Sequence, residues 1–182
     1  MNGKMRDYYR ILEDPLGKGA YGEVRKCIFK SKGILDKQSF FKEYRACKVM
    51  SKSHMEKKDY VSFENEISLL WRLSEKKHPN IMRLYHYFED WNRLMIIMEL
   101  CAATSLEKDI LQTGRYESLK AAYIIKQLLS ALLVMHDPDK DGKSSIIHRD
   151  IKPENIAIDE PDSSMPEIKL LDFGEAAVLN SG

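Results

Sequence analysis

Between two apolar segments the chain reads His148, Arg149, Asp150, Ile151, Lys152, Pro153, Glu154, Asn155, and later Asp172, Phe173, Gly174. A carboxylate such as Asp150, set in a polar loop, can accept a proton from an attacking hydroxyl. Lys152 can offset charge on a moving phosphoryl group, and Asn155 can hold a metal ion. Asp172 offers a second metal ligand, with Gly174 letting the backbone turn sharply beside it. Each piece alone has a plain reading, a solvated turn or a chance tripeptide. Together, in this order, they point to phosphoryl transfer.

The two runs resemble the catalytic loop and the metal loop of eukaryotic protein kinases, and the resemblance covers about residues 16–174. Gly17, Gly19 and Gly22 form a G-x-G-x-x-G run that ends in Val24. A glycine-rich turn between strands lets backbone N–H groups close over phosphates. The run opens no helix, which argues against a dinucleotide-binding unit, although a plain glycine-rich hairpin would look the same. By the resemblance it covers the nucleotide. Ala46, Cys47 and Lys48 match the third strand, whose lysine contacts the inner phosphates and is held by a glutamate from the next helix. Glu66 falls in the pattern E-I-x-x-L; Glu64 is its rival.

The resemblance further implies that Met98 limits access behind the adenine and that Glu99 and Cys101 lie in the hinge. Ala157 forms the floor under the base, opposite Val24 and Ala46. That floor is commonly leucine, so Ala157 is a departure, as are Ala102, Ala103 and Thr104 where glycines are usual. ATP and Mg2+ are the implied cofactors, with Asn155 and Asp172 as metal ligands and Asp150, Lys152, Lys48 and Glu66 as the catalytic set. Lys152 resembles the serine/threonine branch. Arg149 resembles members in which that arginine pairs with a phosphate on the activation segment. Leu70, Leu84, His148 and Phe173 resemble the side-chain stack of the aligned state. The glycine-rich run also resembles calcium/calmodulin-type kinases, and the calcium-dependent kinases of plants and protists.

These residues need elements to position them. A first strand is predicted near 10–16, irregular at Asp14 and Pro15, followed by an alternating strand to Phe29. Residues 31–42 read as a polar linker and 52–58 as a solvated helix entry. Phe63, Ile67, Leu70 and Ser74, widened by Trp71 and Leu73, give a helical face. Pro79 marks its end. Strands follow near 82–88 and 94–99, then a long helix over 116–136 that is apolar all round and should be buried on several sides. Short strands are expected at 156–158 and 168–171. The fold class is α+β: an antiparallel five-stranded N-lobe with one helix, plus an incomplete, mainly helical C-lobe. The divisions are 1–14 as an extension, 15–98 as N-lobe, and 99–182 as hinge and partial C-lobe.

At 182 residues, 43% apolar and 31% charged, the chain has enough material for a core. A net charge of +1 gives no general attraction to nucleic acid or anionic membranes. Cys27, Cys47 and Cys101 lack metal-ligand spacing and read as cytoplasmic thiols. No signal region opens the chain, and the most apolar run is interrupted by Lys126 and Gln127, so no membrane span is expected. Residues 137–142 imitate the opening of a calcium loop, D-x-D-x-D-G, but Ser144 and His148 stand where an apolar residue and a bidentate Glu are needed.

The expected function is a serine/threonine kinase core acting on a protein hydroxyl, read as a piece of a longer kinase, with calcium-linked regulation not visible in this chain. The rival readings are a non-catalytic nucleotide-binding or interaction module, and a calcium-binding protein.

Overall fold

The computed structural model describes residues 4–19, 22–30, 43–101, 104–138, 144–160 and 162–180. The tip of the glycine-rich run (20–21), the linker 31–42, residues 102–103 and most of the calcium-like turn (139–143) lie outside the described residues. The chain divides into two units: Met1–Asp59 with Leu84–Leu100, and Tyr60–Arg83 with Cys101–Gly182.

The first unit holds a short helix α1 (Met5–Tyr8) and strands β1 (Tyr9–Gly19), β2 (Gly22–Phe29), β3 (Tyr44–Ser51), β4 (Leu84–Glu89) and β5 (Arg93–Met98). They form the expected five-stranded antiparallel sheet, in the order β1-β2-β3-β5-β4. β1 is longer than the sequence indicated, because it continues past its irregularity: the register slips on both sides of Pro15, which has no N–H to give to the ladder.

Strand alternation sends successive side chains to opposite faces. Lys48 stands opposite Val24 and Ile96, and Ala46 opposite Met98, so these residues share one face. Cys47, Met95 and Ile97 belong to the other. There they pack with Met5, Tyr9, Cys27 and Phe88 in a buried cluster. The stretch read as an extension therefore contributes Met5 and Tyr9 to this core.

In the second unit, residues from Tyr60 onward belong to helix α2 (Lys57–Lys76). Its buried residues are Phe63, Glu66, Leu69, Leu70 and Leu73, at helical spacing. Trp71, placed on that face from sequence, is 51% exposed, and Leu69 lies buried where it was not expected. The helix stops as Lys77 takes a left-handed φ of 51° ahead of Pro79. Asn80, nearly buried, donates to the Gln127 side-chain oxygen (2.8 Å) and to the Ile168 carbonyl (2.9 Å).

The sequence reading missed helix α3 (Leu106–Thr113), which follows the short strand β6 (Thr104–Ser105). Ser105 caps it by accepting the Lys108 N–H, and Gly114 ends it at φ 80°. Helix α4 (Ser118–His136) packs on strands β7 (Ser144–Ile147) and β9 (Glu167–Leu170), and β9 pairs with β8 (Ile156–Asp159). A last strand, β10 (Ala177–Asn180), pairs with β7.

By length and composition α4 could cross a membrane. Its middle carries Gln127, whose amide serves Asn80, the Pro166 carbonyl and the Ile168 N–H. Those bonds tie the helix to its own unit through one face. Burial on several sides is not supplied by the residues of this chain, which leave an apolar face of the helix exposed. Ile124, Ala131 and Met135 are buried, whereas Leu119, Ile125, Leu129 and Leu133 are half or more exposed.

Candidate active site

On the sheet face that carries Lys48, pairing alone sets several candidates side by side. Gly17 stands opposite Val24, Val24 opposite Lys48, and Ala46 opposite Met98. Ala46 and Met98 are nearly buried, while Val24 and Lys48 keep partial access to solvent. The glycines differ in kind. A Cβ on Gly22 would lie 1.9 Å from the Val49 carbonyl oxygen, so packing alone demands glycine there. At Gly17 nothing stands within 4 Å of such a Cβ. Its open surroundings leave the backbone approachable by a ligand. Gly19 ends β1.

In the second unit the catalytic-loop candidates come together. Lys152 Nζ lies 2.9 Å from Asp150 Oδ2, and Asn155 Nδ2 donates to that same oxygen at 2.8 Å. Asn155 Nδ2 also donates to the Asp150 carbonyl at 3.0 Å. Both bonds converge on Oδ2, so Oδ1 of Asp150 is the oxygen left to accept a proton. The Lys152 ammonium, then the Asn155 amide, hold the Asp150 carboxyl below its ordinary range. The base is thus ionised at neutral pH.

His148 organises this loop from behind. It is 2% exposed and packs at a tilt against the buried Phe173 ring, with ring centres 4.9 Å apart. Its Nε2 faces the Leu171 carbonyl at 3.0 Å, so Nε2 carries the hydrogen, while Nδ1 accepts the Asp150 N–H at 3.3 Å. Those roles belong to neutral imidazole, and burial accordingly pushes its pKa down. Leu70 and Phe173 are fully buried in the same unit; Leu84 is buried in the first. Arg149, exposed and at φ 66°, donates Nε to the Glu175 carbonyl.

The turn at Asp172 differs from its expectation. Glycine at 174 was expected to supply the sharp turn, yet the left-handed residue is Asp172, at φ 54°. Its Oδ1 accepts the Gly174 N–H at 3.3 Å, an arrangement aspartate tolerates better than most side chains. Gly174 matters by its bareness, since a Cβ there would come within 3.3 Å of Asp172 Oδ1.

The donors suit a hard cation. With its amide nitrogen committed to Asp150, Asn155 presents Oδ1, and Asp172 is an exposed carboxylate. Mg2+ prefers such oxygens, few in number and completed by water or phosphate. Among the described residues no group of three or more His, Cys, Asp and Glu forms a metal cage.

Glu66 is 7% exposed, whereas its rival Glu64 faces solvent. Ala157 is buried in β8; Glu99 and Cys101 are half-buried. Lys48, Met98 and Glu99 belong to the first unit, and Glu66, Cys101 and Ala157 to the second.

The family model described as the protein kinase domain matches residues 10–182. The chain is 37% identical over 179 residues to calcium-dependent protein kinase 3 of Plasmodium yoelii yoelii, covering 98% of this chain and 29% of that protein. Calcium-dependent protein kinase 4 of Plasmodium falciparum (isolate 3D7) is 37% identical over 160 residues, covering 87% of this chain and 27% of that protein. Calcium-dependent protein kinase 5 of the same isolate is 33% identical over 176 residues, covering 97% and 27%. The chain therefore spans under a third of the length of these curated relatives.

Proposed function

The chain belongs to the protein kinase domain family, and on that premise we propose that it carries the catalytic residues of a serine/threonine kinase, moving the γ-phosphoryl group of ATP to a protein hydroxyl. The observation behind this reading is the arrangement at Asp150. Two donors occupy Oδ2, while Oδ1 remains to take the acceptor's proton. Lys152, beside it, offsets charge on the transferred group. Asn155 Oδ1 and the Asp172 carboxylate hold Mg2+, which when bound screens charge on the phosphates. Within the first unit Gly17, Gly19, Gly22 and Lys48 serve the phosphates, and Val24, Ala46, Met98 and Glu99 serve the adenine; Glu66, Cys101 and Ala157, in the second unit, keep the roles that the family resemblance implies for them.

Calcium control enters through the names of the relatives, and in the proposed reading it acts on this chain from residues other than these. No disulfide joins Cys27, Cys47 and Cys101, and burial pushes the Cys27 and Cys47 thiols up to about 12. Burial thus makes the Cys27 and Cys47 thiols inert, and a cytoplasmic location is part of the proposed reading.

The test is transfer of labelled phosphate from Mg-ATP to a serine/threonine peptide library, by wild type and by Asp150→Asn. Transfer by wild type that collapses in the variant is the expected result. Saturable Mg-ATP binding without transfer would replace the kinase reading by that of a nucleotide-binding module, the reading that the small Ala157 side chain favours.

A further inference from the structure

Wholly within the first unit lies a cleft of about 950 Å³, independent of the residues assigned to phosphoryl transfer. Its apolar floor is Tyr9, Phe88 and Met95. Pairing puts Met95 opposite Val49 and Phe88, whereas Lys48 pairs with Ile96. The floor is therefore on the sheet face opposite Lys48. The cleft is also lined by five cationic side chains, Lys4, Arg6, Arg10, Lys30 and Arg93, and by two acids, Glu89 and Asp90.

The acids are already neutralised. Asp90 accepts from Arg93 at 3.0 Å and from two backbone N–H groups, and Glu89 takes Lys52 at 2.5 Å and the Tyr87 hydroxyl at 2.7 Å. Lys30 gives its ammonium to the Arg6 carbonyl at 2.7 Å. Among the described residues nothing balances the side chains of Lys4, Arg6 and Arg10. At the rim stands Trp91, 89% exposed on the β4–β5 turn. Tryptophan and arginine are the residues most enriched where a partner's binding energy concentrates.

We propose that this cleft is a docking site for an acidic peptide segment bearing an aromatic or large aliphatic side chain. The apolar anchor packs on Phe88 and Met95 beside Trp91, and the acids meet Lys4, Arg6 and Arg10. A concave site with an apolar floor fits an inserted side chain better than a flat anionic bilayer. The site belongs to the sheet face that carries none of the transfer residues, so its occupation adds a partner without obstructing them.

The probe is a fluorescein-labelled hexapeptide of Asp and Glu with one central Phe, titrated by anisotropy against the whole chain. Saturable binding is expected, weakened at least fivefold by Trp91→Ala, tenfold by Arg6→Glu with Arg10→Glu, and progressively by salt. All three positions are at the surface, and unchanged melting temperatures establish that the variants fold. Absence of saturable binding at millimolar peptide would overturn the proposal. So would equal binding of the hexapeptide with Lys at every acid or Ala for Phe, or variants that bind as well as wild type. Sedimentation of the chain with phosphatidylserine vesicles, lost in Trp91→Ala while the peptide goes unbound, would assign the patch to membranes instead.

Discussion

Asn155 spends both hydrogens of its amide on one residue, reaching the carbonyl of Asp150 at 3.0 Å and its Oδ2 at 2.8 Å. One side chain thereby fixes the orientation of the proposed base and the direction of its own remaining oxygen. Asn155→Ala removes both effects. Loss of two hydrogen bonds made by this buried amide should lower stability by about 1–2 kcal/mol, while phosphoryl transfer should fall at least a hundredfold. Urea unfolding and steady-state kinetics over a Mg2+ titration measure the two separately. A variant that keeps its activity would detach Asn155 from the chemistry.

Lys152 is the main cause of the low pKa of Asp150. In Lys152→Met the carboxyl should titrate at higher pH, nearer the ordinary aspartate value. Because the ionised form accepts the proton, the acid limb of the rate profile should move up with it. Carboxyl-carbon NMR follows the titration without any need for turnover. An unmoved Asp150 resonance would leave the Asn155 bonds as the dominant influence.

His148 is held neutral by burial. Above its ordinary value of 6.5 both folded and unfolded chains carry it neutral, and its share of stability is intact. As pH falls from there towards the depressed folded value, the unfolded chain takes up a proton that the folded chain refuses, and stability drops. Denaturant midpoints between pH 7.5 and 5 should therefore decline. The decline should be shallower in His148→Gln, but not flat, because burial also depresses His78 and His86. Parallel slopes for the two proteins would contradict the assignment.

The two glycines at the ends of the hairpin should part company on substitution. Gly22→Ala drives a methyl into the Val49 carbonyl and should cost about 2 kcal/mol or more in folding. Gly17→Ala meets open space, so its melting temperature should stay near wild type while affinity for Mg-ATP falls. Thermal melts with and without nucleotide distinguish them.

Leu129 and Leu133 lie on the exposed side of α4. Replacing both by Glu should leave the melting temperature within a few degrees and reduce concentration-dependent association. Sedimentation velocity at several concentrations reads this directly.

The candidate transfer residues stand in short runs of fixed spacing, which is why the sequence singles them out, and Glu66 separates from Glu64 once the period of α2 is followed. The five-strand sheet was legible through alternation. Helix α3 has ordinary start and stop residues in Ser105 and Gly114, and Leu106 and Ile110 fall one turn apart, but at eight residues it is too short for the sequence pattern to stand out. Trp71 was assigned inward on hydrophobicity alone, yet the volume beneath that face is filled by Leu69, Leu70 and Leu73. The backbone turn was credited to Gly174, when a hydrogen bond to its own N–H lets Asp172 carry it. Strand β10 could not be read locally, because its partner β7 is far away in sequence.

Tyr9 is 2% exposed, ringed by Phe29, His86 and Phe88, with its hydroxyl on His86. The family match begins at Arg10, one position later. Trimming a recombinant version to that boundary would delete the ring those three side chains surround, together with Met5. Solubility trials of such a trimmed protein would then report a hole in the sheet's packing rather than the character of the kinase, so the first nine residues should be kept whenever it is expressed.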